Sequence, residues 1–280
     1  MYRLKPEIFN LNYTLDCGQV FRWERDVDWW TGVVDEQVIR ISQNREELLV
    51  DSKLSPEFFS CYFRFDDNLS SIYKSIDRDL LIDRGIRKYE GLRLIRQDPW
   101  ECLISYMLST ASSIPMIQKR ISLLSQSFGQ ELEEGYFSFP DPETLATADL
   151  SKLNECKLGF RNESIKEAAL QVHSGDLDLE VLYRLEYKYA RDRLMRIRGI
   201  GEKVADCVLL FAYGKLESFP VDTHIKQIIQ HYHIDDSFFE NCVSLSKMGD
   251  WGREYFGPYC GYAQQYLYYQ KRVEGFVPLY

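Results

Sequence analysis

The stretch RIRGIGEKVADCVLLFA, residues 196–212, is followed closely by FPVDTHI at 219–225. Apolar residues on both sides of the Gly-x-Gly turn predict one helix ending at about Arg198 and another starting near Glu202. Gly199 and Gly201 permit backbone conformations closed to other residues. They also let the N–H groups of the turn approach a phosphate at the start of the second helix. Two helices joined in this way, over about 190–213, would form a hairpin suited to gripping a phosphate backbone without reading bases. The motif is weak alone, but here it lies between apolar helices. From Arg184 to Arg198 there are also six basic and two acidic residues. A solvated helix face is the plain alternative for that run, and for a second one, Arg84 to Arg96, before QDPWECL.

Lys203 falls in the first turn of the second helix, where the macrodipole disfavours a cation. One reading packs its stem and leaves its amine in water. The other is that dipole and partial burial favour the neutral, nucleophilic amine. Asp222 stands just before THIKQIIQHY, as a helix N-cap. A helix from Lys203 to Tyr213 is about 16 Å long, and the residues 214–221 can stretch over about 26 Å. The chain can therefore bring Asp222 back beside Lys203. An amine and a carboxylate facing one point suit attack on a sugar carbon whose transition state carries positive charge.

The totals fit a folded chain. Its 280 residues are 45% hydrophobic and 28% charged, enough for one large core or two smaller ones. The start, MYRLKPEIFNLNYTL, lacks the apolar run of a signal peptide, and no stretch approaches a membrane span. A soluble intracellular protein is expected. Cysteines 17, 61, 102, 156, 207, 242 and 260 are scattered, without C-x-x-C or metal-ligand spacing. Reduced thiols, and no metal or cofactor, are expected. The net charge of −9 argues mildly against indiscriminate nucleic-acid binding.

Residues 19–50 read as sheet. QVFRWE and WWTGVV flank RDVD, VVDEQVIRIS turns at Asp35-Glu36, and EELLVD supplies a further strand. Ser55-Pro56 and Asp98-Pro99 each start a helix. WECLISYMLST is apolar nearly all round, hence central, and IPMIQKRISLLSQSFG is amphipathic with Gly129 as its stop. DPETLATAD, DLSKLNEC and NESIKEAALQVHSG continue as short helices. The fold class is α+β: an N-terminal antiparallel sheet domain with flanking helix, residues 1–92, then an all-helical domain, residues 93–280.

Seven blocks, CGQVFRW, YFRF, GLRLIRQDPWECLISYM, KLGFR, GIGEKVADC, FPVDTHI and FGPYCGYAQQYLY, run in order over nearly the whole chain. In them the sequence resembles an 8-oxoguanine DNA glycosylase/AP lyase of the helix-hairpin-helix superfamily. The resemblance implies that Lys203 attacks C1′ of the damaged nucleotide and forms a Schiff base that leads to β-elimination. Asp222 would stabilise the charge developing on the sugar. His224 would bind a backbone phosphate, as would the turn at Gly199 and Gly201. Gly18 would accept, through its carbonyl, the N7 hydrogen that 8-oxoguanine has and guanine lacks. Gln264 would read the Watson–Crick edge, with Cys207 and Tyr268 sandwiching the ring. Each of these two lies one turn beyond its partner, Lys203 or Gln264, on the same helix face. Phe160 would wedge into the gap left by the flipped nucleotide, and Arg161 would contact the orphaned base. Taken alone, Cys207, Tyr268 and Phe160 would pass for core residues.

One departure from the family bears on specificity. Ala111 and Met116 stand where members that insist on cytosine opposite the lesion have asparagine and arginine. Neither can hydrogen-bond a base edge, so relaxed opposite-base discrimination is expected. The implied partner is double-stranded DNA containing 8-oxoguanine, with no membrane and a monomer sufficient, in the cytoplasm at the nucleoid if the source is prokaryotic. Two alternatives share the scaffold. One is a glycosylase for oxidised pyrimidines or alkylated purines. The former typically carry an iron–sulfur loop, the latter lack the lysine. The other is a non-catalytic DNA-binding module, which leaves Lys203, Asp222, Gly18 and Gln264 unexplained.

Overall fold

The computed structural model describes residues 1–232 and 244–277. Strands β1 (Tyr2–Leu4), β2 (Trp23–Asp26), β3 (Trp29–Val34), β4 (Gln37–Asn44) and β5 (Glu47–Asp51) form one antiparallel sheet in the order β1-β5-β4-β3-β2. Helices α1 (Leu11–Asp16), α2 (Pro56–Tyr62), α3 (Leu69–Ile76) and α4 (Leu80–Lys88) accompany it. Then come α5 (Pro99–Ser109) and α6 (Ile114–Phe128), a small hairpin of β6 (Glu131–Glu133) and β7 (Tyr136–Phe137), and α7 (Pro142–Thr147), α8 (Leu150–Glu155), α9 (Asn162–Ser174) and α10 (Val181–Arg184). The chain continues with α11 (Tyr187–Met195), α12 (Glu202–Phe211), α13 (Thr223–Tyr232), α14 (Leu245–Phe256) and α15 (Cys260–Glu274). The fold is α+β, an antiparallel sheet followed by helices.

Local chemistry sets most boundaries. The Asp35-Glu36 turn has both residues at positive φ, 49° and 55°, which joins β3 to β4 with Val34 opposite Gln37. Ser55 and Asp98 cap α2 and α5 by accepting from the N–H groups of Phe58 and Glu101. Gly129 ends α6 for a different reason than a left-handed cap. Its φ is −85°, and a Cβ there would stand 2.0 Å from the Ser138 carbonyl oxygen.

Four strands differ from expectation. β1 and the β6–β7 hairpin were not foreseen. At two or three residues per strand they are too short to show an alternating pattern. The strand expected from residue 19 begins only at Trp23, because Gln19 and Phe21 turn toward the helices. Gln19 is fully buried; its amide donates to the carbonyls of Thr14 (2.9 Å) and Arg93 (2.8 Å), and its Oε1 accepts from the Ile95 N–H (2.8 Å). The side chain thus stitches α1 to the segment leading into α5.

One apolar core lies between the sheet and α1–α2, holding Trp30, Ile39, Ile41, Phe59 and Phe63. The larger core runs through the helices and takes in Ile72, Ile82 and Leu92. Each such large side chain, fully buried, contributes about 1.5–3 kcal/mol. We propose residues 92/93 as the domain boundary along the chain, although α3 and α4 share their core with α15. The six described cysteines are free thiols, Cys61 exposed and the others buried; Cys242 lies outside the described residues. Among the described residues no helix is long and apolar enough to cross a membrane.

Gln19→Ala leaves a buried N–H and two buried carbonyls without their partner. It should cost about 2–4 kcal/mol, read as a lower urea midpoint at unchanged slope.

Candidate active site

The hairpin forms, with its first helix ending at Met195 rather than near Arg198. Buried Ile197 and Ile200 anchor the connection, and Gly199 adopts φ +87° with Ser164 where a Cβ would be. Gly201 differs. Its φ of −95° suits any residue, a Cβ would meet nothing within 4 Å, and no side chain caps the helix that follows. Gly199 is therefore required by the fold, whereas Gly201 keeps a bare, outward-facing helix N-terminus, the setting in which backbone N–H groups meet an anion.

The two basic runs have different fates. In the second, Arg84 and Lys88 pair with Glu274, Arg87 with Asp83 and Arg96 with Asp66, while Arg93 donates to backbone carbonyls. That run is spent on the fold. In the first, Arg191 turns inward to Asp206 (2.9 Å) and Arg198 pairs with Glu163 (2.9 Å) at the surface, but Lys188 and Arg196 stay exposed beside the hairpin.

Lys203, on the first turn of α12, donates from Nζ to Ser109 Oγ at 2.8 Å and lies 5.1 Å from the centre of the Tyr106 ring. Asp222 Oδ1 accepts from the Ile225 N–H at 2.9 Å, so it caps α13. Amine and carboxylate open on one cavity of about 440 Å³, which also receives Gly18, Cys207, His224, Gln264, Tyr268 and Ala111. That volume is within the usual range for small-ligand sites. Among the described residues no ion pair joins Lys203 to Asp222, which leaves both groups available to a third party. Gly199 and Gly201 line a neighbouring hollow that Lys203 shares.

The walls carry unspent polarity. Gln264 is 5% exposed, and among the described residues its Oε1 has no hydrogen-bond partner. The same holds for Nδ1 of His224, whose ring stands perpendicular to Tyr268 with centres 5.5 Å apart. Buried acceptors and ring nitrogens rarely stay unpaired. Gly18 has φ +85°, and a Cβ there would come within 3.0 Å of Ile114 Cδ1. Its segment is tied down by Gln265, which donates to the Cys17 carbonyl at 3.0 Å. Burial pushes the Cys207 thiol up to about 12, against the pull of Lys203, and the Tyr268 phenol likewise to about 12. Both walls are therefore uncharged at neutral pH.

Outside the cavity, Phe160 projects into solvent at 74% exposure rather than packing in the core. Arg161 is buried, its guanidinium 4.1 Å from the Phe160 ring and donating to the carbonyls of Leu158 and Thr110 and to Ser112 Oγ. Burial, then the neighbouring Arg120, lowers its pKa. Met116 is 39% exposed, and Ala111 sits in the left-handed region at φ 48°. Two participants escaped the sequence reading, Ser109 and Arg120. Arg120 donates to the carbonyls of Lys157 and Leu108 and to Ser112 Oγ. Neither carries a motif or spacing that could have marked it.

The cap and the chemistry of Asp222 can be separated. Asp222→Ala should cost about 1 kcal/mol in urea unfolding through the lost cap, whereas Asp222→Asn should stay within about 0.5 kcal/mol of the parent.

Residues 1–103 match the family model of the 8-oxoguanine DNA glycosylase N-terminal domain. Residues 104–240 match that of the HhH-GPD superfamily of base excision DNA repair proteins. The crystal structure of Clostridium acetobutylicum 8-oxoguanine glycosylase/lyase, in complex with double-stranded DNA containing cytosine opposite 8-oxoG, superposes with a TM-score of 0.90. It is 33% identical over 99% of each chain. The probable N-glycosylase/DNA lyase of Methanothermobacter thermautotrophicus is 28% identical, over 82% of this chain and 74% of its own. The N-glycosylase/DNA lyase OGG1 of Arabidopsis thaliana is 26% identical, over 92% and 76%. With one-third identity sustained over the whole of two chains of the same fold, the protein belongs to the 8-oxoguanine DNA glycosylase/lyase family.

Proposed function

We propose that this chain is a bifunctional DNA glycosylase and AP lyase that excises 8-oxoguanine from double-stranded DNA. The reading rests on one observation above all: the Lys203 amine and the Asp222 carboxylate share a cavity with Gly18 and with Gln264, whose Oε1 has no hydrogen-bond partner among the described residues. The damaged nucleotide leaves the stack to reach it, at a cost of a few kcal/mol. The Gly18 carbonyl accepts the N7–H of the lesion, where guanine would present a lone pair to an oxygen. Gln264 pairs with the Watson–Crick edge, and Cys207 and Tyr268 flank the ring. His224 and the bare hairpin N-terminus at Gly201 take backbone phosphates.

The lone pair of Lys203 forms the Nζ–C1′ bond as the C1′–N9 bond breaks, its electron pair leaving with the base, which takes up a proton. Asp222 offsets the positive charge that builds on the sugar. Loss of an amine proton and opening of the sugar ring give an iminium ion. Removal of a C2′ proton then expels the 3′ phosphate by β-elimination. The nucleophile and the charge-stabilising carboxylate are both side chains of this chain, so the proposed steps call on no cofactor, and a monomer suffices. The site of action is chromosomal DNA, in a prokaryote at the nucleoid.

Phe160, exposed and stacked on the Arg161 guanidinium, fills the vacated space. Discrimination of the opposite base is relaxed, because Ala111 and Met116 offer no hydrogen bond and Arg161 is engaged with carbonyls.

Borohydride trapping on duplexes with 8-oxoguanine opposite each of the four bases tests this. A covalent adduct on all four, abolished in Lys203→Gln and slowed about a hundredfold in Asp222→Asn, is expected. An adduct confined to cytosine would overturn the relaxed specificity, and none on any duplex would overturn the activity.

A further inference from the structure

Ser109 is the last residue of α5 and has no part in the chemistry above, yet its hydroxyl is the hydrogen-bond partner of the Lys203 amine. We infer that Ser109 is a positioning residue for the Schiff-base lysine, holding one N–H of the amine through an oxygen that cannot donate back; the inference rests on the proposed lyase activity. Ser109 Oγ donates its single proton to the Tyr106 carbonyl at 2.7 Å, one turn back in the same helix. Its oxygen thereby meets Lys203 Nζ, at 2.8 Å, as an acceptor only.

The direction of that bond matters. A hydroxyl free to rotate could donate to a neutral amine and occupy the lone pair that must attack C1′. With its proton committed to Tyr106, Ser109 engages an N–H and leaves the lone pair unoccupied. The Tyr106 ring, 5.1 Å away, closes one side of the amine. The Cys207 thiol flanks the amine on the same helix face, and the remaining direction is the cavity that Lys203 shares with Asp222. The tether spans 94 positions of sequence and joins α5 to α12 at the reacting atom. It also suits the later step, because an iminium nitrogen keeps one N–H that the same oxygen can accept.

A group acting through the lysine changes the reaction rate and not DNA affinity. The test compares Ser109→Ala and Ser109→Thr with the parent, using 8-oxoguanine duplex under single-turnover conditions. Borohydride-adduct formation reports the lysine, and binding to a duplex with a tetrahydrofuran abasic analogue reports affinity. Ser109→Ala should trap about tenfold more slowly with affinity within about twofold, and Ser109→Thr, which restores the hydroxyl, should recover to within about threefold. Trapping by Ser109→Ala at the parent rate would overturn the inference. So would a loss confined to affinity, or a Thr variant as slow as the Ala variant. A parent enzyme that forms no adduct would remove the lyase activity itself, and the role of Ser109 with it.

Discussion

Helix α12 is enclosed from Val204 to Phe211, and only its first turn reaches outside. That constraint organises the rest of the protein. Enclosure includes a carboxylate: Asp206 is buried, and burial raises its pKa. The penalty is offset by the Tyr187 hydroxyl at 2.6 Å and by Arg191 at 2.9 Å, with Arg253 at 4.0 Å. Removing one member of such a group strands a buried charge, so the set acts as a clamp on α12 from α11 and α14. A rigid helix with an uncapped start presents Lys203 and the hairpin backbone in a fixed relation to each other. Attack on a sugar carbon depends on such registration, since small misplacements of a nucleophile are costly.

The cavity is built from chain segments far apart in sequence. Gly18 comes from the end of α1, Ser109 and Ala111 from the end of α5 and the turn after it, Asp222 and His224 from the start of α13, and Gln264 and Tyr268 from α15. Two buried glutamines keep these pieces in register. Gln19 binds the backbone of residues 14, 93 and 95, and its own carbonyl accepts from Tyr106 Oη at 3.1 Å. Gln265 holds the Cys17 carbonyl. The sheet-bearing part of the chain thus supplies a wall of the pocket as well as a platform.

Beside the cavity the charge distribution is unusual. Arg120 and Arg161 converge on Ser112 and on the carbonyls that end α5 and precede α9. Cations at a helix C-terminus offset the partial charge of its last carbonyls, which explains why two guanidiniums tolerate each other there. Their clamp holds the turn carrying Ala111 in its left-handed conformation, while Phe160 is left standing outward. Under the proposed function, a base opposite the lesion would meet apolar side chains backed by arginines already engaged.

Much of this was legible in the chain. Gly-x-Gly between apolar helices, a lysine one turn in, an aspartate at the next N-cap and alternating strands over residues 29–51 are local patterns, and local backbone chemistry produces them. The (i, i+4) pairs Lys203–Cys207 and Gln264–Tyr268 likewise follow from helix geometry alone. The inward turn of Arg161, the outward turn of Phe160, the diversion of Gln19 from the sheet and the Ser109–Lys203 tether were not legible. Each depends on which polar atoms find partners when distant segments pack, and a buried donor seeks whatever acceptor the fold brings near. The sequence alone determined which residue types stand at the helix starts and turns; only the tertiary structure decided which of them face one cavity and which are consumed in holding it together.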